Sequence, residues 1–272
     1  MASVAYSGHV RVDAVSAGNR GLAYGDGVFE TMRLHHGAAP LWPLHLARLR
    51  EGAARLGIAM PDPMFIAARV AELAEGRDAG VLKLVLTRGD GGRGYAPPVD
   101  ATPAWLLSLH PLPAPQSALR LHCCDIRLAS QPALAGIKHC NRLEQVLARA
   151  ECERAGCDEG LVRDAQGNAA SATAANLLVL RDGRWITPPV TQCGVAGVLR
   201  GWLLEQGLVE IDVVSMADVE SAGALALCNA VRGILPVSML GAHPWAPHPA
   251  TTDLKARLAM AYPMFPDSVG PA

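Results

Sequence analysis

The segment Ile137-Lys138-His139-Cys140-Asn141-Arg142-Leu143 sets one of only three lysines in this 272-residue chain directly before a strongly patterned amphipathic helix. The other basic residues are arginines, so surface charge is supplied without lysine. Arginine serves equally well as a surface cation but cannot form a Schiff base, which directs attention to the Lys138 amine. On position alone, a solvated loop lysine is the commoner case. The helix that follows is well specified. Asn141 stands where a cap is needed, and Glu144 comes three residues later, as in a capping box. Leu143, Val146, Leu147 and Ala150 form one apolar face, and Gly156 ends the helix.

Working outward, the length predicts about two domains. Half the residues are hydrophobic (50%), ample for sizeable cores, and the net charge of -1 gives no basic footprint for nucleic acid. Aromatics are scarce (5 Trp, 4 Tyr, 3 Phe), which argues against base-stacking platforms. The seven cysteines include no C-x-x-C pair, the usage of a reducing cytoplasm in which cysteine acts as a small apolar residue. Met1 to Arg11 lacks a basic region followed by an apolar run, and the longest apolar stretches are too short to span a bilayer. The expectation is a soluble cytoplasmic protein with no membrane partner.

The first half reads as mixed strands and helices. Leu46, Leu49, Ala53 and Leu56 recur at helical spacing within Leu44 to Leu56, and Gly57 follows; Phe65 to Ala74 reads as a second helix. Val81 to Thr87 and Ala104 to Leu109 read as strands. Pro111-Leu112-Pro113-Ala114-Pro115 then stiffens the chain and admits neither helix nor strand. This sets an expected first domain over 1–112, a linker over 113–118 and a second domain over 119–272. In the second half, strands are expected near Leu119 to Cys124, Leu161 to Arg163, Asn176 to Leu180, Trp185-Ile186, Val209 to Val214 and Ala224 to Cys228. A helix is expected over Gly194 to Gln206.

Several motifs carry chemistry only in combination. Gly89-Asp90-Gly91-Gly92-Arg93-Gly94 matches G-x-G-x-x-G, but Tyr95-Ala96-Pro97-Pro98 cannot open the helix that a dinucleotide site requires. A flexible turn and a loop carrying Arg88, Arg93 and Tyr95 toward an anion remain equal readings. Gly194-Val195-Ala196-Gly197 enters a helix and presents backbone N–H groups and a positive dipole end. Asn229-Ala230 begins a turn of small residues after a strand. Arg48, in His45-Leu46-Ala47-Arg48-Leu49, reads as a solvated helix arginine or a phosphate ligand. The nine histidines are scattered without a metal-ligand spacing, and no G-x-S-x-G elbow is present.

Taken in order, these segments resemble the branched-chain aminotransferase and aminodeoxychorismate lyase superfamily, pyridoxal-phosphate enzymes of fold type IV. The resemblance runs from about Asn19 to Val237. Asn19-Arg20-Gly21-Leu22-Ala23-Tyr24-Gly25-Asp26-Gly27-Val28-Phe29-Glu30-Thr31 is similar to the N-terminal signature. His45-x-x-Arg48-Leu49 is similar to the segment whose arginine binds the cofactor phosphate, and Ile137-Lys138-His139-x-Asn141-Arg142-Leu143 to the one bearing the Schiff-base lysine. The resemblance further implies that backbone amides at Val195, Ala196, Asn229 and Ala230 complete a phosphate cup. The implied fold is mixed α/β with two domains, of the D-amino-acid aminotransferase type, and the implied assembly is a homodimer.

Arg88-Gly89-x-Gly91-Gly92-Arg93-Gly94-Tyr95 and Lys138-His139-x-Asn141-Arg142-Leu143-Glu144-Gln145 look more like the lyases than the aminotransferases. The lyase resemblance implies pyridoxal 5'-phosphate as cofactor and loss of pyruvate from 4-amino-4-deoxychorismate to leave 4-aminobenzoate. Lys138 is then the expected base. An ordinary lysine is protonated up to about pH 10.4, so its pKa is expected to be lowered. A substrate with two carboxylates calls for cationic donors: Arg93 first, then Arg33, Arg88 and Tyr95. One position departs from the family pattern. Five residues before Asn176, where a glutamate normally meets the pyridine nitrogen, stands Ser171, which cannot hold that nitrogen as a cation. The departure weighs more against a D-amino-acid or branched-chain aminotransferase than against a lyase. It also leaves a cofactor-binding protein with reduced or lost catalysis as a further alternative.

Overall fold

The computed structural model describes residues 2–265, which divide into two compact units. The first runs to Leu112 and also takes in Ile137–Asn141; the second comprises Pro113–Gly136 and the chain from Arg142 onward.

In the first unit, β1 (Ser3–Ser7), β2 (Val10–Val12), α1 (Arg20–Tyr24), β3 (Gly27–His35), α2 (Trp42–Leu56), α3 (Pro63–Ala74), β4 (Ala79–Thr87) and β5 (Ala104–His110) follow in order. The antiparallel sheet has the order β2-β1-β5-β4-β3. Burial alternates along β3: Val28, Glu30, Met32 and Leu34 are buried, whereas Phe29, Thr31, Arg33 and His35 are half-buried. The buried set faces α2, whose Leu49 and Ala53 join Val28, Met32, Leu34, Leu82, Leu84 and Leu86 in one core. Pro43 lies in the first turn of α2, and Gly57 closes it with φ 62. Asp62 caps α3 by accepting from the Met64 N–H at 2.9 Å. A Cβ on Gly52 of α2 would lie 3.1 Å from Val28 and 3.2 Å from Ile137, so glycine permits the close approach of helix and sheet.

The second unit contains β6 (Leu119–Leu128), α4 (Leu143–Arg154), β7 (Glu159–Asp164), β8 (Ala169–Ala172), β9 (Asn176–Arg181), β10 (Arg184–Thr187), α5 (Val198–Glu205), β11 (Glu210–Ile211), α6 (Met216–Ser221), β12 (Ala224–Asn229), β13 (Gly233–Leu240), β14 (His243–Pro244) and α7 (Pro249–Ala261). Its sheet has the order β11-β10-β9-β12-β13-β6-β7-β8, and β14 pairs with β13. The β13–β6, β6–β7 and β10–β11 pairs are parallel and the others antiparallel. One core joins Leu121, Leu161, Leu177, Val179, Leu225 and Leu227; a smaller one gathers Cys124, Cys152, Val162 and Cys193 under α4. Among the described residues, no helix is long and apolar enough to cross a membrane.

The start of α4 differs from the capping-box expectation. Arg142 occupies the N-cap without a side-chain cap. Asn141 instead donates to the Gly25 carbonyl at 3.1 Å, and Glu144 accepts from the Ala129 N–H at 2.9 Å. Both polar side chains have tertiary partners that local spacing could not reveal. The helix buries Ala148 and Cys152, while Leu143, Val146 and Leu147 are 76%, 59% and 55% exposed. The α5 helix also begins later than expected, at Val198, because residues 194–197 form a separate loop. The expected strand over Val209 to Val214 shortens to Glu210–Ile211.

Candidate active site

Lys138 is held in extended backbone beside β3. The Phe29 N–H donates to the Lys138 carbonyl and the Cys140 N–H to the Gly27 carbonyl, each at 2.9 Å. Side chains alternate in extended backbone: Ile137 enters the core under α2, and Lys138 turns to the other face of the sheet. There its Nζ lies 4.2 Å from the centroid of the Phe29 ring. Thr31 and Arg33 share that face with Phe29 by alternation, and the register Phe29↔Val85, Thr31↔Lys83, Arg33↔Val81 adds Lys83. The Lys83 amine stands 5.4 Å from the same Phe29 ring. One sheet face therefore carries three cationic side chains: Lys138, Lys83 and Arg33. Burial lowers the pKa of Arg33 from its ordinary value.

Glu30 points to the opposite face and is 1% exposed. It accepts from Arg48 Nε at 2.8 Å and from Arg48 Nη2, and its Oε2 lies 2.6 Å from His45 Nδ1. Burial alone would raise the Glu30 pKa. The adjacent Arg48 and His45 outweigh it and bring the carboxyl down to about 2. Burial pushes the fully buried His45 ring below its ordinary pKa despite the Glu30 bond, with Arg48 and Lys138 adding repulsion. The neutral ring then donates from Nδ1, and Nε2 is buried with no hydrogen-bond partner among the described residues.

Arg88 has tertiary partners at all three nitrogens. Nε and Nη2 reach Asp26 at 2.8 and 3.1 Å, while Nη1 and Nη2 donate to the carbonyls of Gly57 and Leu56 at 2.6 and 2.7 Å. It fastens the end of β4 to the end of α2 and has no free fork for a ligand. Arg93 and Tyr95 lie on the exposed loop after β4, with Tyr95 85% exposed.

In the second unit, the loop at 194–197 is fixed from two sides. Gly136 donates to the Gly194 carbonyl at 3.1 Å and accepts from the Ala196 N–H at 3.0 Å. The Ala196 amide, expected to serve an anion, thus has a backbone acceptor. The Val195 carbonyl accepts from Asn176 Nδ2 at 2.9 Å, and a Cβ on Gly197 would lie 2.0 Å from Asn176 Oδ1. Gly197 is the N-cap of α5 and offers no side chain, so the first-turn amides of that helix lack a side-chain cap. Asn229 Oδ1 accepts from the Val231 and Arg232 N–H groups at 3.0 and 2.8 Å, curling the second loop, and its Nδ2 donates to Ala174 at 3.3 Å. Both loops therefore hang on the 174–176 corner. Ser171, in β8 opposite Val162, is 7% exposed, and its hydroxyl makes no hydrogen bond among the described residues.

The chemistry of these residues, taken unit by unit, suits a phosphorylated aldehyde cofactor. In the first unit, the Lys138 amine stands over the Phe29 ring and the Arg48 guanidinium is locked by the buried Glu30 carboxylate; in the second, α5 begins without a side-chain cap and Asn229 curls a turn of backbone amides. Ser171 brings only a hydroxyl, whereas a protonated pyridine nitrogen calls for a carboxylate.

The sequence is 32% identical over 238 residues to an aminodeoxychorismate lyase of Vibrio harveyi, covering 84% of this chain and 88% of that protein. It is 30% identical over 238 residues to a putative branched-chain-amino-acid aminotransferase of Methanocaldococcus jannaschii, covering 82% and 81%. The fold matches the crystal structure of 4-amino-4-deoxychorismate lyase from Pseudomonas aeruginosa with a TM-score of 0.88 and 42% identity, over 95% of this chain and 99% of that one. The fold type IV architecture expected from the sequence is the one found. Amino-transferase class IV matches residues 27–240, from the first residue of β3, beside the lysine segment, to the last of β13, and the chain belongs to that family.

Proposed function

We propose that this protein is a 4-amino-4-deoxychorismate lyase that uses pyridoxal 5'-phosphate to release pyruvate and leave 4-aminobenzoate. The observation that carries the reading is the sheet face on which the Lys138 amine stands over Phe29 beside Lys83 and in line with Arg33. One amine there can move a proton, and two further cations suit a substrate with two carboxylates. The likeness to lyases at 32% and 42% identity supports the same reading.

Pyridoxal phosphate, when bound, supplies the electron sink for the bond that breaks. Lys138 is the residue that would hold it, with Arg48 and the amides of Val195, Asn229 and Ala230 at its phosphate; the Ala196 amide is already given to the Gly136 carbonyl. Lys138 Nζ takes the proton from the amine-bearing ring carbon of the substrate. The C–O bond on the neighbouring carbon then breaks, the ring becomes aromatic, and the departing enolate is protonated to pyruvate. Arg33, Lys83 and Arg93 bind the substrate carboxylates, with Tyr95 beside them. Ser171 donates at most a hydrogen bond to the ring nitrogen and weakens the sink. Aromatisation supplies a driving force that transamination lacks, which favours elimination.

The assembly in this reading is a homodimer, supported by the outward apolar stripe of Leu143, Val146 and Leu147 on α4. The compartment is the cytoplasm, supported by Cys124 and Cys152, whose sulfurs lie 3.8 Å apart, buried and unbridged. Pyruvate release from 4-amino-4-deoxychorismate, measured beside amino-acid transamination in the same preparation, tests the function. Transamination without pyruvate release would replace it.

A further inference from the structure

Residues 89–96 contain four glycines and belong to no helix or strand, yet one buried side chain grips them. Arg20, 4% exposed, donates from Nη1 to the carbonyls of Gly94 and Ala96 at 3.2 and 3.3 Å, and from Nη2 to that of Tyr95 at 2.9 Å. Its Nε is fixed on Asp26 at 2.8 Å, the carboxylate that also receives Arg88. The backbone adds two further ties: Arg20 N–H to the Gly89 carbonyl at 2.8 Å and Gly91 N–H to the Gly18 carbonyl at 3.1 Å. The Arg20 guanidinium lies 4.9 Å from the Tyr24 ring centroid, and that ring packs against Tyr95 at 5.5 Å.

We propose that Arg20 is a positioning residue for substrate. By drawing three consecutive carbonyls of the loop inward, it turns the Arg93 and Tyr95 side chains outward in one fixed presentation. A planar fork with several donors is needed to hold three carbonyls while pairing with Asp26. Lysine, with a single ammonium, preserves the charge but cannot make that set of contacts. Gly91 belongs to the same device. A Cβ there would lie 2.7 Å from Arg20 Cδ and 2.9 Å from Cγ, in the middle of a side chain pinned at its far end. An unheld loop this rich in glycine would sample many conformations, and binding would bear the cost of ordering it.

This proposal rests on the lyase reading, in which Arg93 and Tyr95 meet the substrate. The test compares the cofactor-loaded wild-type protein with R20K and G91A. Amide hydrogen exchange across 89–96 is measured beside KM and kcat for pyruvate release. In both variants, exchange in the loop accelerates and KM rises by about tenfold, while kcat stays within about twofold and the cofactor absorbance is unchanged. R20K retains the charge opposite Asp26, and G91A leaves Arg20 itself intact, so the pair guards against simple loss of the fold. Wild-type exchange rates in both variants would overturn the proposal. Faster exchange with unchanged KM would overturn it as well, because Arg20 would then serve structure alone. A wild-type protein that releases no pyruvate would sink the lyase reading instead. The kinetic comparison is then made on amino-acid transamination, with the same two outcomes deciding for or against Arg20.

Discussion

Glu30 and Arg48 meet in a two-point ion pair: Arg48 Nε reaches Oε1 at 2.8 Å and Nη2 reaches Oε2, with Glu30 buried at 1% exposure. The pair fixes the rotamer of the arginine that the proposed function assigns to the cofactor phosphate. Removing the Glu30 charge takes away the carboxylate that holds both Arg48 and the buried His45. Glu30→Gln is expected to cost about 3–5 kcal/mol of folding stability. It should also weaken pyridoxal-phosphate binding by more than tenfold, on the order of 1.4 kcal/mol. Denaturant unfolding and a cofactor titration check the two effects separately.

The same cluster makes stability depend on pH. Glu30 has its pKa lowered from 4.5 to about 2, so its contribution is complete above about pH 4.5 and is lost as pH falls toward 2. His45 is also lowered, from 6.5, so the native state resists protonation that the unfolded state accepts. Its contribution is complete above pH 6.5 and declines below it. The melting temperature should therefore begin to fall near pH 6.5, before carboxylates titrate. His45→Gln should remove that early decline and leave the one below pH 4.5. An early decline of the same size in both proteins would mean that another group causes it.

Much of the fold was legible because its signals are local. The helix spacing around His45 and Arg48, the loop at 194–197 and the lysine segment each occupy a few residues, and their order along the chain identified the architecture. Non-local partners were not legible. Lys83 sits within a strand that reads as apolar, and only the β3–β4 register sets it opposite Thr31 and beside Phe29. Arg88 read as an anion ligand because its partners, Asp26, Leu56 and Gly57, lie 62, 32 and 31 residues away in sequence. Asn141 and Glu144 matched a capping box by spacing, yet Gly25 and Ala129 hold them. Periodicity likewise found the apolar face of α4 without showing that it turns outward.

That outward stripe is expected to be the dimer contact. Leu147 is 55% exposed, and burying a leucine contributes about 1.5–3 kcal/mol. Leu147→Glu should weaken self-association by roughly ten- to a hundredfold or more, since it also buries a charge. Sedimentation analysis across a concentration series reads the change. A wild-type protein that sediments as a monomer throughout would dismiss the dimer.

Ser171 offers a test of the weakened electron sink. Ser171→Glu places a carboxylate where the family pattern has one. The visible absorbance of the cofactor-loaded protein is expected to strengthen or move to longer wavelength, because a protonated ring nitrogen withdraws electrons more strongly. Unfolding curves for the same variant show whether the larger side chain is accommodated at a position only 7% exposed. An unchanged spectrum in a well-folded variant would mean that residue 171 does not reach the ring.

The central claim is that the Lys138 amine performs an elimination. The most direct measurement follows pyruvate and 4-aminobenzoate together after 4-amino-4-deoxychorismate is added to wild-type and Lys138→Ala proteins supplied with pyridoxal phosphate. The account predicts equal amounts of the two products from the wild type, with at least a thousandfold loss of rate and loss of the visible cofactor absorbance in the variant. Pyruvate release at a comparable rate by Lys138→Ala, or none from the cofactor-loaded wild type, would contradict it.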